Sequence, residues 1–176
     1  MVPTQIALLR GINLGGSTTV KMAPLRELCE SLGMKNVRTY IQSGNIVFDS
    51  KRTDEATRLA DAIAQNFNVK TFAVIRTRED LEQLTAANPF PSEDPKKVVV
   101  VFLTGAPTPE AIAEVEAMQI TPEQISFHGR DMFIYFPNGQ GVSKLPMAKI
   151  ERTLKVAGTG RNWNTVQALL ALATNP

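Results

Sequence analysis

The chain has one cysteine, one histidine, one tryptophan and two tyrosines in 176 residues, and no long apolar run. A lone Cys29 excludes an internal disulfide framework and any thiolate metal cluster, so no metal site is expected. A lone His128, with no Cys or Ser nucleophile motif beside it, leaves little for histidine-based catalysis; HExxH, GxSxG and clustered carboxylates are also missing. The longest apolar run, Val98 to Leu103, falls far short of the roughly 20 residues a bilayer span needs, and no membrane partner is expected. The start, MVPTQIALLRGIN, has no basic stretch ahead of its apolar patch, and Arg10 interrupts that patch. The pattern is not that of a secretory signal, and a cytoplasmic protein is expected.

What is there is an ordinary globular composition, sufficient for one substantial core or two small ones. Net charge is only +2, but its distribution is uneven: residues 1–78 carry eleven Lys/Arg against six Asp/Glu, 79–127 two against nine, and 128–176 six against two. Two basic ends could form a face for an anionic partner, nucleic acid included, or be plain solvated surface. Lys144, Lys149, Arg152 and Lys155 add to the second basic end. Leu25, Leu28 and Leu32 define a helical stripe with Cys29 four residues after Leu25, which predicts a buried, inert thiol.

Ile6 to Arg10 reads as a strand covered on both faces, because apolar residues stand at adjacent positions. A glycine-rich loop, Gly11 to Ser17, follows, then a helix beginning near Pro24 and ending before Gly33. The stretch TYIQSGNIVF, Thr39 to Phe48, predicts a hairpin around Ser43-Gly44-Asn45; a two-residue Gly44-Asn45 turn would pair Ile41 with Phe48 and Gln42 with Val47. A helix over Asp54 to Phe67 and a strand over Val69 to Ile75 complete a β-α-β-β-α-β order, the ferredoxin-like pattern. Thr77-Arg78-Glu79-Asp80 has the form of a capping box that opens a short helix.

Three prolines between Asn88 and Pro95 break regular structure and suggest a division into a first half, 1–87, a linker, 88–97, and a second half, 98–176. The second half restarts with a buried strand at Val98 to Leu103 and a helix opened by Pro107-Thr108-Pro109. A second hairpin follows around Gly129-Arg130-Asp131, then a helix from Ser143. Where a fourth strand is due, Gly158 to Asn164 leads instead into a last helix. The expected fold is therefore α/β (α+β): a tandem of two ferredoxin-like βαββαβ-type halves, the second ending in an extra helix instead of a fourth strand.

In a β-α-β crossover the two strands run parallel, so the loop after the first strand and the turn after the second share one edge of the sheet. Arg10, Asn13, Gly15, Gly16, Ser43, Gly44 and Asn45 should therefore be neighbours, a guanidinium, two amides, a hydroxyl and several glycine N–H groups. Such a set suits a small anionic or nucleotide-like ligand. It matches neither the P-loop nor the G-x-G-x-x-G spacing, and the same residues could serve loop geometry alone. Arg161-Asn162-Trp163 is a second polar knot, expected to form a third wall of the same ligand cleft with the Arg10-Gly16 loop and the Ser43-Asn45 turn. There Asn164 with Gln167 fits a capping box, and Trp163 suits either a buried anchor or an aromatic platform. Asp49, Asp131 and His128 are the candidate acids and bases for an enzyme acting on the same ligand. For nucleic acid, Arg38, Tyr40 and Gln42 could stand on an open sheet face, against which the doubly apolar first strand speaks.

Four stretches, LLRGINLGG (Leu8 to Gly16), MAPLRELCESLG (Met22 to Gly33), VRTYIQSGNIVF (Val37 to Phe48) and TGRNWNT (Thr159 to Thr165), resemble the bacterial domain of unknown function 1697 family. The resemblance implies a tandem of ferredoxin-like halves. It places Arg10, Gly11, Asn13, Gly16, Ser43, Gly44, Asn45, Arg161, Asn162 and Trp163 in the family's pattern, and it brings no established activity or cofactor.

Overall fold

The computed structural model describes residues 1–15 and 19–175; Gly16 lies outside them. Two compact units result, Met1–Glu82 with Ala168–Pro176, and Gln83–Gln167. Together they hold two four-stranded antiparallel sheets and six α-helices among the described residues, a mixed α+β architecture.

The first unit contains β1 (Thr4–Leu9), α1 (Met22–Ser31), β2 (Lys35–Tyr40), β3 (Asn45–Asp49), α2 (Glu55–Phe67) and β4 (Ala73–Thr77), with strand order β2-β3-β1-β4. The apolar run Ile6 to Leu9 is buried throughout, as its unbroken pattern predicts for the strand between two others. One face of the sheet, with Ala7, Leu9, Ile46, Phe48 and Ala73, packs with Leu25, Cys29, Leu59 and Ile63 of the two helices. Cys29 sits in that core, and burial, reinforced by Glu55 and Glu30, pushes its thiol up to about 12. A thiol so held stays protonated and inert at neutral pH. Glu55, also buried, accepts from Ser50 Oγ at 2.5 Å and pairs with Arg58 at 2.6 Å.

The last residues of the chain belong to this unit as well. Arg38 Nη1 donates to Leu172 O at 2.5 Å and Asn175 O at 2.9 Å, so a cation caps the last turn of a helix whose carbonyls lack intrahelical partners.

In the second unit β5 (Val98–Leu103), β6 (Gln124–His128), β7 (Asp131–Tyr135) and β8 (Gly158–Asn162) form a sheet of order β6-β7-β5-β8. Helices α4 (Pro109–Glu116) and α5 (Met147–Leu154) supply Val115, Ile150 and Leu154 to the core beneath Val99, Val101, Met132 and Ile134. Helix α3 (Arg78–Ala86) follows β4, and α6 (Trp163–Thr174) follows β8. The turns of 88–97 are held by Asn88 and Asp94 side chains, and Phe90 stacks at 5.6 Å on Tyr135.

Several expectations need correcting. The first hairpin does not turn at Gly44-Asn45: the turn is Ile41 to Gly44, Asn45 already belongs to β3, and Val47 pairs with Arg38 rather than Gln42. Positive φ falls on Ile41 (+49°) and Gly44 (+78°), and the first of these is a β-branched residue that turn statistics disfavour there. The second sheet does have a fourth strand, because Gly158 to Asn162 pairs with β5 along its length. A Cβ on Gly158 would stand 2.6 Å from Val101 Cγ1 and 3.2 Å from Phe102 O, so this strand needs the glycine that hid it from sequence patterning. Strand β4 starts at Ala73 rather than Val69, and α1 starts at Met22. The helix expected from Ser143 starts only at Met147, as α5, after a 3-10 turn at Gln140–Val142. The capping box at Thr77 is present in full: Thr77 N donates to Asp80 Oδ2 at 2.9 Å, and Asp80 N to Thr77 Oγ1 at 3.1 Å.

Candidate functional site

Strands β1 and β2 both run antiparallel to β3, so they are parallel to each other. The end of β1 and the turn after β2 consequently meet at one edge of the first sheet, where the topology places them. Leu9 N donates to Gly44 O at 2.9 Å. Asn13, itself at φ +56°, ties the two loops together: its Nδ2 donates to Gln42 O at 2.8 Å and Val20 O at 2.9 Å, and its Oδ1 accepts from Val20 N at 2.8 Å. Ile12 is buried beneath the turn, and a Cβ on Gly44 would meet its Cδ1 at 2.7 Å. Asn45, 0 % exposed, donates to Tyr40 O at 3.0 Å and Ser43 Oγ at 2.9 Å, which closes the hairpin from inside.

Arg10 completes this edge. Its main chain is fixed by Arg10 N to Phe72 O at 3.0 Å and Thr71 Oγ1 to Arg10 O at 2.6 Å, and its half-exposed guanidinium stands 5.5 Å from the Phe72 ring centroid. Gly15 is exposed, with open space where a Cβ would be. Thus Arg10, Asn13, Ser43, Gly44 and Asn45 come together within the first unit, Asn45 and Gly44 as buried framework and the others nearer the surface, while Gly15 lies exposed on the same loop as Asn13.

Arg161, Asn162 and Trp163 belong to the second unit, on β8 and at the start of α6. Arg161 is 8 % exposed; its Nη1 donates to Thr159 Oγ1 at 2.8 Å and Gly160 O at 2.9 Å, and burial draws its guanidinium down to about 10. Asn162, not Asn164, caps α6, through Thr165 N to Asn162 Oδ1 at 2.9 Å. The helix begins at Trp163, earlier than the Asn164–Gln167 spacing suggests. Trp163 is 6 % exposed and packs 6.0 Å from Phe133, an anchor's environment.

The two sheets repeat one polar plan that residue identity conceals. Arg161 pairs with Val100 as Arg76 pairs with Ile6, each on the third residue of the central strand. Asp131 pairs with Phe102 as Asn45 pairs with Leu8, and His128 stands opposite Asp131 as Tyr40 stands opposite Asn45. Arg76, among the most buried large side chains, has no place in the sequence reading; its only signal is a charge inside the apolar stretch AVIRT.

The candidate acids and bases are dispersed. Asp49 lies at the other end of β3 from the loop pair, paired with Thr4, and accepts from Thr4 Oγ1 at 2.8 Å and Asn36 Nδ2 at 2.7 Å. His128 is exposed at a strand end of the second unit. Among the described residues no three His, Cys, Asp or Glu side chains are grouped to hold a metal ion, and no helix is long and apolar enough to cross a membrane. Two open cavities, of about 340 and 330 Å³, both lie in the second unit, one beside Glu123, Ser143 and Lys144, the other beside Thr108, Glu110 and Lys155.

Fold and site together define a mixed α+β protein of two four-stranded antiparallel sheets, with a stapled loop edge on the first. The chain belongs to the family described as protein of unknown function DUF1697, whose profile matches residues 2–133. It is similar in structure to a conserved bacterial protein of Streptococcus pneumoniae, with 25% sequence identity and a TM-score of 0.79 over 98% of this chain and 99% of that one. No curated protein matches it in sequence.

Proposed function

We propose that the chain is a cytoplasmic binding protein that takes a small anionic or nucleotide-like ligand on the loop edge of its first unit. The carrying observation is the charge of that edge. Its segments, 10–15, 19–22, 41–45 and 68–72, contain Arg10, Lys21 and Lys70 and no Asp or Glu. The opposite edge holds Asp49, Asp54, Glu55, Glu79 and Asp80, with ion pairs Arg52–Asp54, Arg58–Glu55 and Arg78–Glu79. Segregation of this kind leaves a positive potential at the edge that carries the Arg10 guanidinium, oriented on Phe72. The Asn13 staple holds the loops in place before a ligand arrives, which lowers the ordering cost of binding.

The described residues of these four segments include no Asp, Glu or His, and acid or base catalysis needs such a group within hydrogen-bond reach, so they favour the binding reading over the enzyme one. For Arg161, Asn162 and Trp163 a structural reading has its own support, because each is already engaged inside its unit. The repeated strand order supports reading the two units as a tandem of ferredoxin-like halves.

A thermal-shift titration with ATP, ADP and pyrophosphate tests the binding reading. Ligand at a hundredfold excess over Kd adds ~2.7 kcal/mol, which is a Tm rise of several degrees for a chain of this size. Arg10→Ala is expected to abolish the rise while it lowers the ligand-free Tm by only a few degrees. No rise with any of the three in the wild type, or an equal rise in Arg10→Ala, would refute the proposal.

A further inference from the structure

Two side chains at this edge contradict the usual logic of a turn. Leu14 is 83% exposed and Ile41 52% exposed, and both flank the Asn13 Nδ2 to Gln42 O bond that joins their loops. Ile41 also holds φ +49°. A solvent-facing position in the left-handed region is where Gly, Asn or Asp is favoured on backbone grounds. An isoleucine there is unfavourable in conformation and in hydration at once. Residues kept against local preference in this way point to a use for the side chain itself.

From this we infer that the edge docks on an anionic phospholipid surface, with Leu14 and Ile41 entering the acyl boundary and Arg10, Lys21 and Lys70 meeting the headgroup phosphates. The inference rests on the reading of this edge as the anion-binding one, and it commits to lipid phosphate as the source of the anion. Charge complementarity carries it: the described loop segments of the edge that bears the apolar tips contain three cations, Arg10, Lys21 and Lys70, and no Asp or Glu, against a mixed opposite edge. The tips are aliphatic, which suits hydrocarbon; single-stranded nucleic acid calls for exposed aromatic platforms, and of the two rings at this edge Phe72 is covered by Arg10 and Tyr40 is half-buried at the end of β2. Interfacial docking combines a modest buried apolar area with attraction to anionic lipid, so it needs both halves of this arrangement. It requires no membrane-spanning helix.

The test is flotation of the full chain with vesicles of phosphatidylcholine alone or with 30 mole per cent phosphatidylserine (roughly a cytoplasmic-leaflet charge). Wild type is expected to float with the anionic vesicles at low salt, to lose most binding in high salt, and to ignore neutral ones. Leu14→Asp is expected to cut the bound fraction by on the order of tenfold, given the desolvation cost of a carboxylate at the interface. Ile41→Asn separates docking from folding, because asparagine tolerates the left-handed backbone. It should raise Tm by about 2–4 °C and still reduce vesicle binding.

Absence of wild-type binding to anionic vesicles at low salt overturns the inference, as does undiminished binding by both variants. If ATP or pyrophosphate raises Tm while vesicles do not bind, the edge takes a soluble anion and only the lipid assignment fails. If neither binds, both readings fail. Salt-sensitive binding to single-stranded RNA but not to vesicles would equally overturn the lipid assignment.

Discussion

Gly44→Ala is expected to destabilise the first unit by about 3 kcal/mol. Two independent terms add. At φ +78° an alanine meets the left-handed penalty of about 1–2 kcal/mol. The new Cβ would also stand 2.7 Å from Ile12 Cδ1 and 2.8 Å from Leu9 Cβ, both in the core, and overpacking there adds about 1–3 kcal/mol. Neither neighbour can retreat cheaply, because Leu9 is held by the sheet and Ile12 lies under the Asn13 staple. Gly15→Ala is the control: its φ is +87°, yet nothing lies within 4 Å of its Cβ, so only the conformational cost applies. Urea unfolding should show a lower midpoint with unchanged slope for Gly44→Ala. Equal losses for the two variants would show that the Gly44 contact with Ile12 carries no energy.

Trp163→Ala is expected to cost about 3–5 kcal/mol, the range for deleting a large buried aromatic. The ring is almost wholly out of water and pairs with Phe133 across a tilted contact, which adds to simple area burial. Trp163→Phe should recover much of the loss. If Trp163 were instead a stacking platform for a ligand's ring, the alanine variant would keep its stability and lose ligand affinity. The pair of measurements, chemical denaturation and a ligand-induced thermal shift, separates these roles.

How much of this was legible in the sequence depended on whether a feature is carried by side-chain pattern or by backbone. The apolar run of β1 and the stripe of α1 announce themselves, and so does the capping box at Thr77, because each is written in residue types at fixed spacing. The strand β8, GTGRN, has no such pattern: its glycines are there so that the strand can lie against Val99 and Val101. The hairpin was legible as an element and illegible in register, since Gly-Asn chemistry points to a two-residue turn. The chain instead spends its positive φ values on Ile41 and Gly44.

The site divides along the same line. That the Arg10 loop and the Ser43 turn are neighbours follows from topology alone, and the structure joins them through Asn13. The inward roles of Asn45 and Arg161 could not be read, because a polar side chain in a motif looks the same whether it faces a ligand or a carbonyl. Arg76 shows the converse. Only the register, in which Arg76 and Arg161 occupy matching places on β4 and β8, reveals that a buried arginine is part of the plan of both sheets.

The claim that the loop edge of the first unit is an anion-binding surface is tested most directly by mapping an ATP titration onto amide resonances of the 15N-labelled chain. Shifts concentrated at Arg10 to Gly15, Ile41 to Asn45 and Lys70 to Phe72 are expected. Shifts concentrated instead around Gln119 to Glu123 or Thr153 to Val156, beside the cavities of the second unit, would contradict the account, as would no shift at millimolar ATP.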